Sequence, residues 1–425
     1  MMNLRMPLFF RSMVIARWLD LWYNTENLSH TKESPAIKKL IAMVLCLMLM
    51  PLGHSLAEEN SLDEAVAKVL SGHKTTGAAV YVAKDGEIVY EYLYGYADKK
   101  AGIPVSEDTY FRTASVTKMI SAIHIMQLVE QGLLDLDENI GTYFGYSVTN
   151  PYVGNAPVTL RHLMTHTSSL NSQGGYSKSS RTLSSLLDDS TKQWGNFHKY
   201  APGSKYEYSN FGAGIMGSLM EAVTGMNLND SVTASLFDPL GIDAGYHQTL
   251  VDVPENITAL YSADRTVRRT RSLLLSQTWD NSVNPDKHYR ITMGAVWIKG
   301  RDLCRIGMLL CQGGTLDGVT ILQPETVSLM MADQNGRPGI TCSSPYGLCI
   351  NRVSNLVKGR MIYGHQGMAN GVVCNVYFDP ETQFVFALVT NGSSDNMNDR
   401  ICKVSRKTFN LCWQAFSGTE DTVIY

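Results

Sequence analysis

The sequence predicts an α/β fold of the α+β type, in which one antiparallel sheet is flanked by helices and carries an inserted helical lobe. Strand-like segments lie near both ends of the chain, and helical patterns fill the region between them. One sheet assembled from both chain ends, with the helices inserted, accounts for this order most simply. The 425 residues are 44% hydrophobic and 18% charged, with a formal net charge of −3. This composition is typical of a globular protein with a sizeable core.

The first 57 residues differ from the rest of the chain. Lys38 and Lys39 precede an uncharged apolar run at 40–52, and a Ser-Leu-Ala segment then ends at Ala57. This succession of basic, apolar and small residues is typical of a secretory signal peptide, and the run is shorter than a membrane-spanning helix. We expect cleavage after Ala57 and a periplasmic or secreted protein. An uncleaved leader would instead associate with a membrane.

The remaining elements follow from hydrophobic periodicity. Strand-like segments form two pairs, 78–83 with 87–97 and 371–378 with 384–391, and each pair is joined by a turn sequence. A first helix ends near Gly72, and helical patterns follow at 115–131, 159–165, 211–224, 301–312, 325–332 and about 398–416. We predict a leader at 1–57 and a single catalytic domain at 58–420. Its sheet comes from about 75–110 and 345–415, and its helical lobe from about 111–340.

Charge and cysteine content exclude several classes of function. The near-balanced charge offers no long-range field for nucleic acid. One basic cluster lacks interleaved aromatic residues and is interpreted as a solvated loop rather than a polyanion site; it consists of Arg265, Arg268, Arg269 and Arg271. No C-x-x-C motif is present, so a zinc ribbon or redox pair is excluded. Cys342 and Cys349 could close a small loop.

The strongest chemical signal is Ser115-Val116-Thr117-Lys118 at the start of a long apolar helix. Side chains three residues apart on a helix are neighbours, so the lysine amine would lie beside the serine hydroxyl. Burial lowers the pKa of such an amine and allows it to accept a proton. A second S-x-x-K begins at Ser71. It follows the end of a helix, so no helix fixes its lysine beside its serine.

Two further segments combine groups suited to catalysis. Tyr208-Ser209-Asn210 stands at a loop–helix junction, where a phenol can relay a proton and an amide can bind a carbonyl. Gly364-His365-Gln366-Gly367 leads into the strand predicted at Gly371. Glycines there allow close approach of the backbone, and a strand edge can bind substrate by β-addition.

Together and in this order, the three motifs resemble those of the serine β-lactamase and penicillin-binding-protein-like family. The branch concerned contains class C β-lactamases, D-alanyl-D-alanine carboxypeptidases and class VIII carboxylesterases. The resemblance extends over about residues 75–393 and includes VTLRHLMTHTSSL at 158–170 and GHQGMANGVV at 364–373. It implies a β-lactamase/transpeptidase-like fold and a metal-free, cofactor-free mechanism.

The resemblance also implies a role for each motif residue. Ser115 would be acylated, Lys118 and Tyr208 would share the general base and acid roles, and Asn210 would orient the substrate. The N–H groups of Ser115 and Met368, the residue after Gly367, would form the oxyanion hole.

His365 stands where β-lactamases carry a lysine that helps to hold a carboxylate. A neutral imidazole holds a carboxylate less firmly than an ammonium group, which argues against β-lactam hydrolysis. The resemblance therefore points to D-alanyl peptides, with the enzyme a cell-wall-related D-alanyl-D-alanine carboxypeptidase. A carboxylesterase or β-lactamase of the same fold is the alternative. The expected partners are a small peptide, ester or β-lactam, and peptidoglycan, with no nucleic acid.

Two rival interpretations remain open. His162 and His166 have the i, i+4 spacing of zinc ligands, but the glutamate of H-E-x-x-H is missing and no third ligand is evident, so no metal is expected. The chain could also be a non-catalytic penicillin or peptidoglycan sensor that has kept the fold. Against this, Ser115, Lys118 and Tyr208 are all present.

Overall fold

A computed structural model shows long strands near both ends of the chain and most of the helices between them. It describes residues 61–425 apart from 179, 192–193, 337–339, 342–344 and 395. The predicted leader, its cleavage site and Cys342 lie outside the described residues. Residues 62–425 form one compact unit. In the part of the chain described, no helix is both long and apolar enough to cross a membrane.

The strands in chain order are β1 (Gly77–Lys84), β2 (Glu87–Asp98), β3 (Ile103–Pro104), β4 (Tyr110–Arg112), β5 (Thr149–Asn150), β6 (Ala156–Pro157), β7 (Ala244–Gly245), β8 (Leu260–Tyr261), β9 (Val267–Arg269), β10 (Trp297–Lys299), β11 (Thr315–Leu316), β12 (Val319–Thr320), β13 (Asn351–Val353), β14 (Ile362–Ala369), β15 (Val372–Asp379), β16 (Phe384–Thr390), β17 (Met397–Asn398) and β18 (Ile401–Cys402).

The α-helices are α1 (61–72), α2 (Val116–Glu130), α3 (Gly141–Phe144), α4 (Leu160–Met164), α5 (Leu183–Leu187), α6 (Asn210–Thr224), α7 (Leu228–Val232), α8 (Arg271–Leu275), α9 (Gly300–Cys311), α10 (Pro324–Met331) and α11 (Lys403–Phe416). Short 3-10 or π turns lie at Asp189–Thr191, Trp194–Asn196, Thr233–Phe237, Asp238–Leu240 and Pro254–Asn256.

Both chain ends contribute to one antiparallel seven-stranded sheet, which confirms the predicted fold class. Its strand order is β13-β14-β15-β16-β1-β2-β3. Successive residues of β1 are buried on opposite faces, with Ala79 and Tyr81 in one core and Val80 and Val82 in the other. A strand covered on both faces needs apolar residues throughout, which explains the continuous run AAVYVA.

Helices cover the two faces differently. One core contains residues of α2, α6 and α9 together with one face of the sheet. The other core contains α1 and α11, with Trp413 and Phe409 of α11 fully buried. The helical lobe therefore lies on one face only, and the N-terminus of α2 reaches the sheet at β14.

Two predicted boundaries near the C-terminal end are wrong. We expected residues 364–367 to lead into a strand at Gly371, but these residues are themselves part of β14, and Gly371 is in the turn before β15. Asn370 and Gly371 both have positive φ, of 53° and 88°, as an Asn-Gly hairpin turn requires. The last helix begins at Lys403 rather than about residue 398, because β17 and β18 occupy 397–402.

Candidate active site

Ser115 lies at a sharp turn between β4 and α2. It occupies the position before the first residue of the helix, and the preceding Ala114 has a φ of 46°, which non-glycine residues rarely adopt. Lys118, one turn further along, is completely buried, and its Nζ lies 3.0 Å from Ser115 Oγ. The side chains three residues apart thus meet as the helix period predicts.

Two fixed acceptors determine how the Lys118 amine is oriented. Nζ donates to Asn210 Oδ1 at 3.0 Å and to the carbonyl oxygen of Met293 at 2.6 Å. Neither of these oxygens can donate a proton. When Lys118 is neutral, both of its N–H bonds point at them, and its lone pair points at the Ser115 hydroxyl.

Burial lowers the pKa of Lys118 to about 7. A substantial fraction of the amine is therefore neutral near neutral pH, although the ordinary pKa of lysine lies above 10. The geometry and the lowered pKa together suit Lys118 to act as a base for the Ser115 hydroxyl.

Tyr208 lies on the other side of this pair. Burial raises the pKa of its hydroxyl above the ordinary value for tyrosine, so the phenol is protonated. The Lys118 Nζ lies 5.2 Å from the centroid of its ring. The next residue caps α6, because Ser209 Oγ accepts from the N–H of Gly212 at 3.0 Å. This cap fixes the start of the helix and places Asn210 beside Lys118.

The exposed backbone edge of β14 completes the site. Val373 donates its N–H to Thr390 Oγ1 on β16, so its backbone polar groups face β16 and not its β14 partner, Met368. The Met368–Val373 pair is therefore a non-hydrogen-bonded pair, and the Met368 N–H points away from β15. Because β13 pairs only with Ile362–Gly364, this part of the β14 edge has no strand beside it among the described residues.

Gly367 brings this edge against the start of α2. A Cβ atom at Gly367 would lie 2.3 Å from Thr113 O and 2.8 Å from Ser115 N. Only glycine therefore allows the strand to come this close to the helix N-terminus. The N–H groups of Ser115 and Met368 lie at this junction, which is the arrangement that an oxyanion hole needs.

His365 is buried and neutral. Its Nδ1 lies 2.8 Å from the carbonyl oxygen of Gln366, which can only accept, so the proton is on Nδ1. Nε2 then accepts from the Tyr346 hydroxyl at 3.0 Å. Burial, with a smaller contribution from the charge of Lys118, lowers the pKa of His365 to about 3. The position therefore carries no positive charge for a substrate carboxylate.

His166 was considered above as a zinc ligand, and the structure places it beneath Tyr208 instead. Its carbonyl oxygen accepts from the N–H of Glu207, and its Nδ1 accepts from the N–H of Ser209 at 3.3 Å. Its ring centroid lies 4.2 Å from that of Tyr208. His162 accepts from the N–H of Thr159 through Nδ1. The described residues contain no group of three His, Cys, Asp or Glu side chains arranged for a metal.

Three residues contribute to the site in ways that the sequence did not predict. Met293 acts through its backbone carbonyl, which no residue type reveals. Tyr346 lies far along the chain from the motifs, and His166 was considered only as a zinc ligand and as part of a family-like segment. Ser115, Lys118, Tyr208, Asn210 and the 365–368 segment are all brought together.

A profile of the Beta-lactamase family matches residues 62–407. Esterase EstB of Burkholderia gladioli is 34% identical over 199 residues, which cover 44% of this chain and 50% of the esterase. Penicillin-binding protein 4 of Amycolatopsis lactamdurans is 26% identical over 328 residues, which cover 75% of this chain and 82% of that protein. The chain thus spans only half the length of the esterase.

The solved structure of the octameric penicillin-binding protein homologue from Pyrococcus abyssi superimposes with a TM-score of 0.67. The two chains are 20% identical, and the match covers 85% of this chain and 78% of the other. At this identity the likeness shows a shared fold alone. The family profile, in contrast, extends from α1 into α11 and contains all three motifs. The protein is therefore a member of the β-lactamase family of serine hydrolases.

Proposed function

We propose that the protein is a carboxylester hydrolase that works through an acyl-Ser115 intermediate. The observation that carries this proposal is the orientation of Lys118, whose two N–H bonds are committed to Asn210 Oδ1 and Met293 O while its lone pair is directed at Ser115 Oγ. The esterase relative supports the choice of ester substrates.

The reaction uses only groups of this chain. Ser115 Oγ bonds to the ester carbonyl carbon as its proton passes to Lys118 Nζ, and the N–H groups of Ser115 and Met368 bind the resulting oxyanion. The bond to the leaving alkoxide then breaks, and the alkoxide takes the Tyr208 proton, which Lys118 replaces. Water then attacks the acyl carbonyl carbon and gives a proton to the same pair. The bond from this carbon to Ser115 Oγ breaks, the pair returns the proton to Oγ, and the carboxylic acid leaves.

The neutral state of His365 favours ester hydrolysis over the carboxypeptidase activity expected from the motifs. A D-alanyl-D-alanine carboxypeptidase has to hold the carboxylate of its leaving D-alanine, and a lysine at position 365 would supply the charge. His365 is neutral, and both its ring nitrogens are hydrogen-bonded. An ester with an uncharged leaving group needs no such partner.

The proposal is tested with 4-nitrophenyl butyrate and diacetyl-L-lysyl-D-alanyl-D-alanine. We expect release of 4-nitrophenol and a butyryl adduct by intact-mass spectrometry, no measurable release of D-alanine, and loss of both ester signals in Ser115→Ala. Ser71→Ala is the matched control, because Ser71 begins the other S-x-x-K and is exposed at the end of α1. Release of D-alanine at a comparable kcat/KM, or an active Ser115→Ala variant, would contradict the proposal.

A further inference from the structure

Arg112, three residues before Ser115, is a half-buried arginine with one hydrogen bond. Its Nε donates to the carbonyl oxygen of Gly294 at 2.9 Å, and Gly294 follows the residue whose carbonyl holds Lys118. Within the described residues, its two terminal nitrogens make no hydrogen bond, and they are not among the buried atoms. A planar guanidinium with both terminal groups available is suited to two parallel hydrogen bonds to a carboxylate.

The β8–β9 hairpin brings a second arginine beside it. The N–H of Thr258 donates to the Tyr110 carbonyl oxygen at 3.0 Å, and Tyr110 and Ile257 are paired in parallel, so Ala259 follows alongside Arg112 and Leu260 is the next residue. Leu260 pairs across the hairpin with Arg269. Burial and then the charge of Arg269 lower the pKa of Arg112, as two neighbouring cations require.

No carboxylate of the described residues pairs with either arginine. The nearest acidic residue in the hairpin, Asp264, accepts hydrogen bonds from Ser262 Oγ and from the N–H and hydroxyl of Thr266. These bonds lower the pKa of Asp264 and hold its carboxylate within the turn. Two adjacent cations that no carboxylate of the described residues pairs with are suited to binding an anion.

The position of the hairpin identifies which part of a substrate would reach it. Tyr208, which protonates the leaving group, is packed with His166 and Tyr346 on the side of His365, in the first half of β14. The hairpin instead lies at the far end, where a Cβ atom at Gly371 would be 1.8 Å from Tyr261 O. A substrate lying along β14 therefore directs its leaving group toward His365 and its acyl chain toward the two arginines.

We propose that Arg112 and Arg269 bind a carboxylate at the acyl end of the groove, and that the enzyme prefers esters whose acyl chain ends in a carboxylate. This inference rests on the proposed ester hydrolysis at Ser115. The substrate class is the half-ester of a short dicarboxylic acid.

The test compares mono-4-nitrophenyl glutarate with 4-nitrophenyl valerate, which has an acyl chain of the same length without the charge. We expect kcat/KM for the glutarate to exceed that for the valerate by about tenfold, with the advantage falling as salt is added. In Arg269→Gln and in Arg112→Gln the ratio of the two kcat/KM values should fall to about one. Arg269→Gln is informative even if Arg112→Gln does not fold, because Arg269 is exposed.

The control variant is Arg301→Gln, which removes the same charge from an exposed position on α9 and should keep the parent ratio. A parent ratio of about one, or a ratio that Arg269→Gln leaves unchanged, would overturn the inference.

A binding measurement separates this failure from failure of the proposed function. Ser115→Ala cannot turn over substrate, so glutaric acid monoanilide and valeranilide can be titrated into it by calorimetry. The monoanilide should bind about tenfold more tightly, and Arg269→Gln on the same background should abolish the difference. Equal affinity of the two anilides would overturn the anion site even if neither ester were hydrolysed by the parent protein.

Discussion

At the scale of single residues, the site depends on oxygen atoms that can only accept hydrogen bonds. Asn210 Oδ1 and Met293 O can only accept, and this fact, more than proximity, suits Lys118 to act as a base for Ser115. Because the neutral amine is the active form, kcat/KM for a neutral ester should rise with pH around an apparent pKa of about 7.

Replacing Asn210 by Asp should shift the pH range over which kcat/KM rises to higher pH. A carboxylate 3.0 Å from Nζ favours the ammonium form and raises the pKa of Lys118, by about one to three units for a close pair. The measurement is the pH profile of kcat/KM for 4-nitrophenyl butyrate. Asn210→Ala is the control, since it lowers the rate without adding charge. A rise that stays near pH 7 in Asn210→Asp would mean that another group titrates.

Gly367→Ala should strongly slow acylation in a folded protein. The new Cβ atom would lie against Thr113 O and Ser115 N, so β14 must move away from the oxyanion hole. Losing one oxyanion donor costs about 100- to 1,000-fold in kcat in other enzymes, and we expect a loss of that order. Gly72→Ala, where a Cβ atom meets nothing within 4 Å, should have the parent rate. A near-normal burst of 4-nitrophenol from Gly367→Ala would contradict the position given to the strand edge.

At the scale of elements, the sequence predicted what local periodicity determines. The S-x-x-K pair is a property of one helix, so its geometry follows from spacing alone. β14 was missed because its two glycines and its polar residues hide the alternation, although the Asn370-Gly371 turn follows its end. The roles of Met293 and Tyr346 depend on contacts between elements distant in sequence, which no local pattern contains.

One buried hydrogen-bonded pair, Glu221 and His288, holds the loop that ends at Met293. The fully buried carboxylate of Glu221 on α6 accepts from the N–H groups of Leu228 and Asn284 and from His288 Nδ1 at 2.7 Å. Glu221→Gln replaces one of the two acceptor oxygens by an NH2 group that faces another donor, and should lower the free energy of unfolding by about 3 kcal/mol. Urea unfolding measures this change.

The matched control for this pair is Glu130→Gln. Glu130 also accepts from a backbone N–H, that of Gln323, but is exposed, and its replacement should cost under about 0.5 kcal/mol. Equal effects of the two variants would show that the buried pair does not hold the loop in place.

At the scale of the whole molecule, the sheet separates catalysis from much of the stabilising core. The site lies on the face covered by the helical lobe, whereas α1 and α11 cover the other face with a core of their own. Since the two cores share the strands but not the helices, a change in the second core should reach the site only through unfolding.

Trp413→Ala tests this separation. The indole is completely buried and packs on Phe384 and Phe409, with ring centroids 4.9 and 5.7 Å away. Its removal leaves a large cavity and should lower the free energy of unfolding by about 4 kcal/mol. Phe416→Ala, at the half-buried end of the same helix, should cost less. In both variants, kcat/KM per folded molecule should equal that of the parent at temperatures below unfolding. A lowered kcat/KM in fully folded Trp413→Ala would show that α11 influences the site through the sheet, by shifting β14 relative to Ser115.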